Sequence, residues 1–208
     1  MISVPVFDKQ GQKIAPVEVD ESTLGKLVKK SLLRQAVQMY EMNQHVCTKG
    51  TLTRGMVSGS TRKLYRQKHT GNARMGQRTT PQRRGGGVAF APMTRDISYH
   101  MAKGARKSAT RSALLSRLVD NEVSILAELQ LDAPKTKSIV ALLKGLGIEG
   151  RCLIVVDADN GNVWKSSRNI PQVTVRRAAD VNAYDLLHPD RLVFTQAAFK
   201  RVFEALGS

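Results

Sequence analysis

At 208 residues the chain can bury one domain core, or two small ones, and with 41% hydrophobic residues it cannot be disordered throughout. Its 33 Lys and Arg against 17 Asp and Glu give a net charge of +16 and a pI near 10.3, which argues for a polyanionic partner, either nucleic acid or an anionic membrane surface. No stretch approaches the roughly 20 apolar residues of a membrane span. Met1-Ile2-Ser3-Val4-Pro5 does not open a secretory signal, and the early acids Asp8, Glu18, Asp20 and Glu21 argue against a transit peptide, so a cytoplasmic protein is expected.

Residues 2–7 and 13–19 read as two short strands around a Gln10-Gly11-Gln12 turn. A first helix follows, with Val28, Leu32, Ala36, Met39 and Tyr40 spaced to line one face. Then comes a long stretch with no apolar periodicity. Beyond it a second helix carries Leu114, Leu115, Leu118 and Val119, followed by a strand over Val123–Ala127. A helix with Ile139, Val140, Leu143 and Leu146 leads to a strand over Cys152–Val156. Val173–Arg177 and Arg191–Phe194 read as further strands, with a short helical turn over Val181–Leu187 between them. Phe199, Val202, Phe203 and Leu206 mark a last helix. Strands alternating with helices predict an α/β fold, a single mostly parallel sheet flanked by helices. The expected globular domain is 1–43 joined to 96–208. Residues 44–95 form a long irregular basic loop inserted between the first two helices.

That loop holds the charge. Between Glu41 and Asp96 there is no acidic residue, while Lys49, Arg54, Arg62, Lys63, Arg66, Lys68, Arg74, Arg78, Arg83, Arg84 and Arg95 supply 11 positive charges. The remainder holds 22 basic against 17 acidic residues, so most of the surplus lies in the insert. Its Gly, Ser and Thr content cannot bury enough surface to order it, and structureless loops beyond about 12–15 residues in compact domains are usually functional or disordered. A linker has no need of an arginine every few residues, so something anionic is expected to organise the segment.

The chemistry available there suits RNA. The guanidinium fork bonds phosphate bidentately and stacks on bases, and Lys adds a compact charge. Gly lets the backbone pass close to a sugar-phosphate chain. Ser, Thr and Gln can donate to phosphate and 2′-hydroxyl oxygens, and Tyr65, Phe90 and Tyr99 can stack on bases or pack against RNA, with one of the three expected to be a core residue instead. The expected RNA-contacting residues are Lys49, Arg54, Ser58, Arg62, Lys63, Tyr65, Arg66, Gln67, Lys68, His69, Thr70, Arg74, Arg78, Arg83, Arg84, Gly85, Gly86, Gly87 and Arg95. A hairpin with about 25 residues in each arm reaches at most roughly 80 Å at full stretch.

Enzyme signatures are weaker. Gly85-Gly86-Gly87 follows Arg83-Arg84 rather than a strand, and no phosphate-binding glycine motif or nucleophile elbow is present. His45, His69, His100 and His188 lack metal-ligand spacing, so neither metal nor cofactor is expected. Cys47 and Cys152 are unpaired in spacing, and Cys152 reads as a core residue. One sharper pattern is Leu153-Ile154-Val155-Val156-Asp157-Ala158-Asp159, an apolar strand ending in paired carboxylates that resembles the nucleophile motif of haloacid-dehalogenase-type phosphatases. It runs into Asn160-Gly161-Asn162 without that family's hydroxyl or β-branched position, and about 50 residues remain for everything else. The segment reads as a polar loop after a buried strand, with no catalytic residue and no small-molecule substrate expected. A free regulatory RNA- or DNA-binding protein is the other alternative, sharing the basic loop.

The loop also carries a resemblance. Thr53-Arg54-Gly55-Met56-Val57-Ser58-Gly59, Arg66-Gln67-Lys68-His69-Thr70-Gly71-Asn72-Ala73-Arg74 and Arg84-Gly85-Gly86-Gly87-Val88-Ala89-Phe90 resemble the bacterial form of the large-subunit ribosomal protein L-four family. Arg111-Ser112-Ala113-Leu114, Ala133-Pro134-Lys135-Thr136-Lys137 and Val181-Asn182-Ala183-Tyr184-Asp185-Leu186-Leu187 are similar to its later segments, so the likeness spans nearly the whole chain. The resemblance implies a non-catalytic structural constituent of the large ribosomal subunit that binds large-subunit (23S-type) ribosomal RNA and supports assembly. It implies an α/β domain on the subunit surface and a loop that penetrates RNA to line the nascent-peptide exit tunnel. The tip would lie near Gly59–Gly71, with Arg62, Lys63, Arg66 and Lys68 closest to the tunnel wall. Protein L-twenty-two would stand across the constriction, with the nascent peptide a transient neighbour. Some bacterial members of that family also bind their own messenger leader as a brake. This chain departs from the family pattern at four places: Tyr65 and Arg83 stand where Trp is usual, His69 where Gly is usual and Asn72 where Arg is usual.

Overall fold

The computed structural model describes residues 1–25, 27–157 and 160–207. The chain divides into two compact units, Met1–Glu41 with His100–Ser208, and Met42–Tyr99.

The first unit opens with a strand that Pro5 cuts in two. Proline has no N–H to give a ladder, and the chain changes sheets there. β1 (Ile2–Val4) pairs antiparallel with β3 (Val17–Val19), whereas β2 (Val6–Phe7) pairs parallel with β4 (Val123–Leu126). The expected strand over 13–19 therefore shortens to β3, with Lys13 making only an isolated bridge to Phe7. Between them the turn is closed by Asp8 N–H donating to Gln12 O at 2.9 Å. Gly11 sits at φ +79°, and a Cβ there would lie 2.8 Å from the Gly145 carbonyl oxygen. Only glycine fits.

The main sheet has five parallel strands in the order β2-β4-β7-β5-β6, with β5 at Cys152–Val156, β6 at Val173–Arg177 and β7 at Arg191–Thr195. All five residues of β5 are buried, as expected for a continuous apolar strand covered on both faces. Side chains alternate between the two layers. Leu153, Val155, Leu192, Phe194, Val123 and Ile125 pack with α2 (Lys30–Gln44), α3 (Lys103–Val119), α6 (Ala183–Leu187) and α7 (Gln196–Gly207). Cys152, Ile154, Val156, Val193 and Leu126 pack with α4 (Thr136–Gly145) and α5 (Gly161–Ser167). Phe194 meets Phe199 edge-on, with centroids 5.7 Å apart, a favoured aromatic geometry. The α/β expectation with a mostly parallel sheet holds.

Several details differ. Two short helices were not foreseen: α5, and α1 (Glu21–Leu24), whose N-cap Asp20 accepts from Ser22 N–H at 3.0 Å. The basic segment therefore follows the second helix, α2, instead of the first. Val28 precedes α2 and packs only partly against the core. Val119, assigned to the core face of α3, is 56% exposed at the helix end, while Ala109 and Ala113 are fully buried. In α4 the buried set is Ile139, Leu142 and Leu143, and Val140 faces solvent. A residue one step from Ile139 is rotated about 100° off its stripe.

Arg117 ties α3 to the segment after α6. Its Nε donates to Leu186 O at 3.0 Å and its Nη2 to Pro189 O at 2.7 Å and to Leu187 O, while Nη1 pairs with Glu122. The side chain is only 15% exposed. Arg117→Met removes every one of these donors and strands three carbonyls and a carboxylate, so a loss of about 3 kcal/mol is expected. A urea melt checks it. An unmoved midpoint would mean that water replaces the guanidinium without cost.

Burial pushes the Cys152 thiol up to about 12, which leaves it protonated and inert at neutral pH. No described helix is long and apolar enough to cross a membrane.

Candidate nucleic-acid interface

The second unit, Met42–Tyr99, is almost without regular structure. It nevertheless has a frame of its own. At its base the Asn43 amide clamps one residue twice: Nδ2 donates to Tyr99 O at 3.1 Å and Oδ1 accepts from Tyr99 N–H at 2.8 Å. Further along, Thr51 N–H donates to Pro92 O at 3.0 Å and Val88 N–H to Leu52 O at 2.9 Å, with Thr53 and Val88 forming a parallel bridge. Gly87 N–H donates to Thr79 O at 3.0 Å, Leu64 N–H to Gly76 O at 3.2 Å, and the Tyr65 hydroxyl donates to Ala73 O. The expectation that this segment has no order of its own is thus corrected. Backbone-to-backbone bonds supply the frame, and they leave no trace in hydrophobic periodicity.

Two of the three consecutive glycines serve that frame. A Cβ on Gly87 would sit 2.2 Å from Arg54 N, and one on Gly86 1.9 Å from Thr80 O. Their missing side chains admit the loop's own backbone, so the close approach expected toward a sugar-phosphate chain is made internally at both positions. Gly85 is at φ +76° with open space around it. Gly87→Ala is expected to force the arms apart and speed exchange of the Val88 amide by at least tenfold, read by hydrogen–deuterium exchange. Unchanged protection would show that the arms do not depend on that contact.

The cations fall into groups. Arg62, Lys63, Tyr65, Arg66 and Arg78 surround one concavity of about 750 Å³, with Ser60 and Leu64 completing the wall. Lys63 Nζ donates to Gln67 Oε1 and Arg66 Nη2 to His69 O at 2.8 Å, so their chains are oriented while their charges stay uncompensated. Lys68, His69 and Thr70 lie in the adjoining bends, and Arg74 follows on an exposed stretch. Arg54, Arg83, Arg84 and the glycines form the crossing of the arms, with Ser58 exposed nearby in sequence. Lys49 and Arg95 are exposed on the two stems and do not line the concavity. Among the described residues, no carboxylate pairs with any of the eleven cations; the ion pairs lie in the first unit. His69 has φ +64°, in the left-handed region where glycine is unstrained.

Other features were invisible beforehand. The Asn43–Tyr99 clamp has no sequence signature, and neither does buried Thr79, whose Oγ1 lacks a protein partner. The apolar side chains Leu52, Met56 and Met93 are exposed on this unit, and no periodicity announces them.

The carboxylate pattern of the first unit does not form a comparable site. Asp157 accepts from Arg201 Nη1 at 3.0 Å, and Asp159 lies outside the described residues. No group of three or more His, Cys, Asp or Glu side chains that could hold a metal occurs among the described residues. Asp185, nearly buried on α6, is held above the ordinary carboxylate range by burial, partly offset by Arg176 at 3.3 Å. Its neighbour Asn182 donates to its carboxylate at 2.8 Å, which makes it part of the α6 cap.

The fold and the charge define the class: an α/β protein with a multiply cationic segment, residues 42–95, that holds no carboxylate. Comparison with known sequences narrows the class. Residues 17–205 match the profile of the ribosomal protein L4/L1 family. The large ribosomal subunit protein uL4 of Rhodopirellula baltica is 44% identical over 203 residues, covering 97% of this chain and 91% of that protein. Its counterpart in Symbiobacterium thermophilum is 41% identical over 207 residues, covering 100% of both. The chain belongs to the ribosomal protein L4/L1 family, whose members are structural and not enzymatic.

Proposed function

We propose that this chain is a structural constituent of the large ribosomal subunit and that residues 44–95 are its RNA-penetrating part, with 1–43 and 96–208 as the domain that carries it. The observation behind this is the run of eleven uncompensated cations, four of which gather with Tyr65 around one concavity. A surface of this kind is costly to leave bare and is neutralised by phosphates, which release counterions as they bind. Positioned guanidinium groups suit folded RNA, which is read through its backbone and shape. The partner is large-subunit (23S-type) ribosomal RNA. At the tip, Arg62, Lys63, Arg66 and Lys68 face the nascent-peptide exit tunnel, opposite protein L-twenty-two, with the growing peptide as a passing neighbour.

A photo-crosslinking residue at position 63, in ribosomes stalled with a nascent chain, tests the placement. Crosslinks to large-subunit RNA, to the nascent chain and to L-twenty-two are expected. Crosslinks to RNA alone would remove the tunnel assignment and leave RNA binding standing. Their complete absence in assembled subunits would remove both.

A further inference from the structure

One face of the second unit is apolar and open. Leu52, Met56 and Met93 are 59%, 56% and 58% exposed, and with Pro92 and the hydroxyl-bearing Thr51 and Thr94 they line a groove of about 270 Å³. Two residues before Pro92, Phe90 is 98% exposed. An isolated exposed Leu or Met is unremarkable, but apolar side chains gathered along one groove mark an interaction surface. The groove is built before any partner arrives, because Thr51 N–H bonds to Pro92 O and Val88 N–H to Leu52 O across its walls.

Charge selects the occupant. Lys49, Arg54 and Arg95 lie within two residues of groove residues in sequence, and no carboxylate occurs between Glu41 and Asp96. An apolar protein surface would leave those cations unpaired. RNA supplies phosphates together with the flat faces of its bases, and only unpaired bases have faces free to leave the helical stack. Met side chains adapt to irregular shapes and contact π-systems, and an aromatic ring with both faces open is a stacking platform for any base. We infer that the groove formed by Leu52, Met56, Pro92 and Met93, together with Phe90, seats unpaired bases of the RNA, a contact separate from the phosphate contacts of the basic concavity. The inference rests on the proposal that this unit binds RNA, and it adds which chemical part of the RNA is held where.

The two kinds of contact separate in a salt titration. Phosphate contacts set the slope of log affinity against log salt, whereas stacking sets the affinity that survives when salt has removed them. Full-length protein is titrated with purified large-subunit RNA, and in parallel with an unstructured oligonucleotide and a fully paired hairpin of equal length. Phe90→Ala and Met93→Gln are compared with the native chain. Both residues are exposed, so neither change disturbs a buried contact. Each substitution is expected to lower the affinity extrapolated to 1 M salt by about 5- to 150-fold, with the slope unchanged. Each should also diminish the native preference for the unstructured strand over the hairpin. If both variants keep the native high-salt affinity and the native strand preference, the base seat is overturned. A native slope near zero would instead overturn RNA binding by the unit itself, a separate and distinguishable result.

Discussion

Arg62, Lys63, Arg66 and Arg78 replaced together by glutamine should weaken binding to large-subunit RNA by about a thousandfold at 0.1 M salt, while leaving the melting of the first unit unmoved. Each phosphate neutralised contributes about −0.7 to −0.9 to the slope of log affinity against log salt. Four such contacts contribute about −3, and at 0.1 M salt that slope is worth about three powers of ten. These four side chains line one concavity and meet no carboxylate among the described residues, so their neutralisation costs the folded protein no ion pair, only the exposed hydrogen bonds of Lys63 and Arg66 within the second unit. Exposed charges without a partner contribute little to stability. A slope unchanged in the fourfold variant would mean that the concavity does not touch phosphate, whatever the rest of the loop does.

The second large effect is the loss of function without loss of fold. Deleting residues 55–92 is expected to leave a cooperative melt and to reduce affinity for large-subunit RNA by more than about a thousandfold, since all four of those cations and four more go with it. The core of the first unit draws on β1–β7 and the helices packed on them, none of which lies within 55–92. The two arms already run side by side near the cut, where Thr51 N–H bonds to Pro92 O at 3.0 Å. Shortening an inserted loop changes its closure entropy only slowly with length. Loss of the cooperative transition in that variant, followed by circular dichroism, would show that the loop is part of the core after all.

How far the sequence could be read depended on what kind of force built each part. The inner strand β5 was legible because burial on both faces leaves an unbroken apolar run over Cys152–Val156. The long helices were legible by their stripes, with the register slip at Val140 showing how one residue moves a side chain off the core face. Short elements were not. α1 rests on an Asp20 cap and four residues, and α5 begins in Gly161-Asn162, where helix propensity is poor. The cationic character of the insert was plain from Glu41 to Asp96, because charge needs no fold to be counted. Its internal frame was hidden, since it rests on the Asn43 clamp, on backbone bonds between the arms and on the space left by Gly86 and Gly87. The sequence shows that three glycines leave space, but not that two of them fill it with the chain's own backbone.

Residence in the large ribosomal subunit is tested most directly by sedimentation. A tagged copy is followed through a sucrose gradient of cell lysate at moderate salt, and the large-subunit fractions are then washed at high salt. Co-migration with the large subunit that survives the wash is the predicted result. Recovery of the protein only at the top of the gradient, free of the subunit, would contradict it.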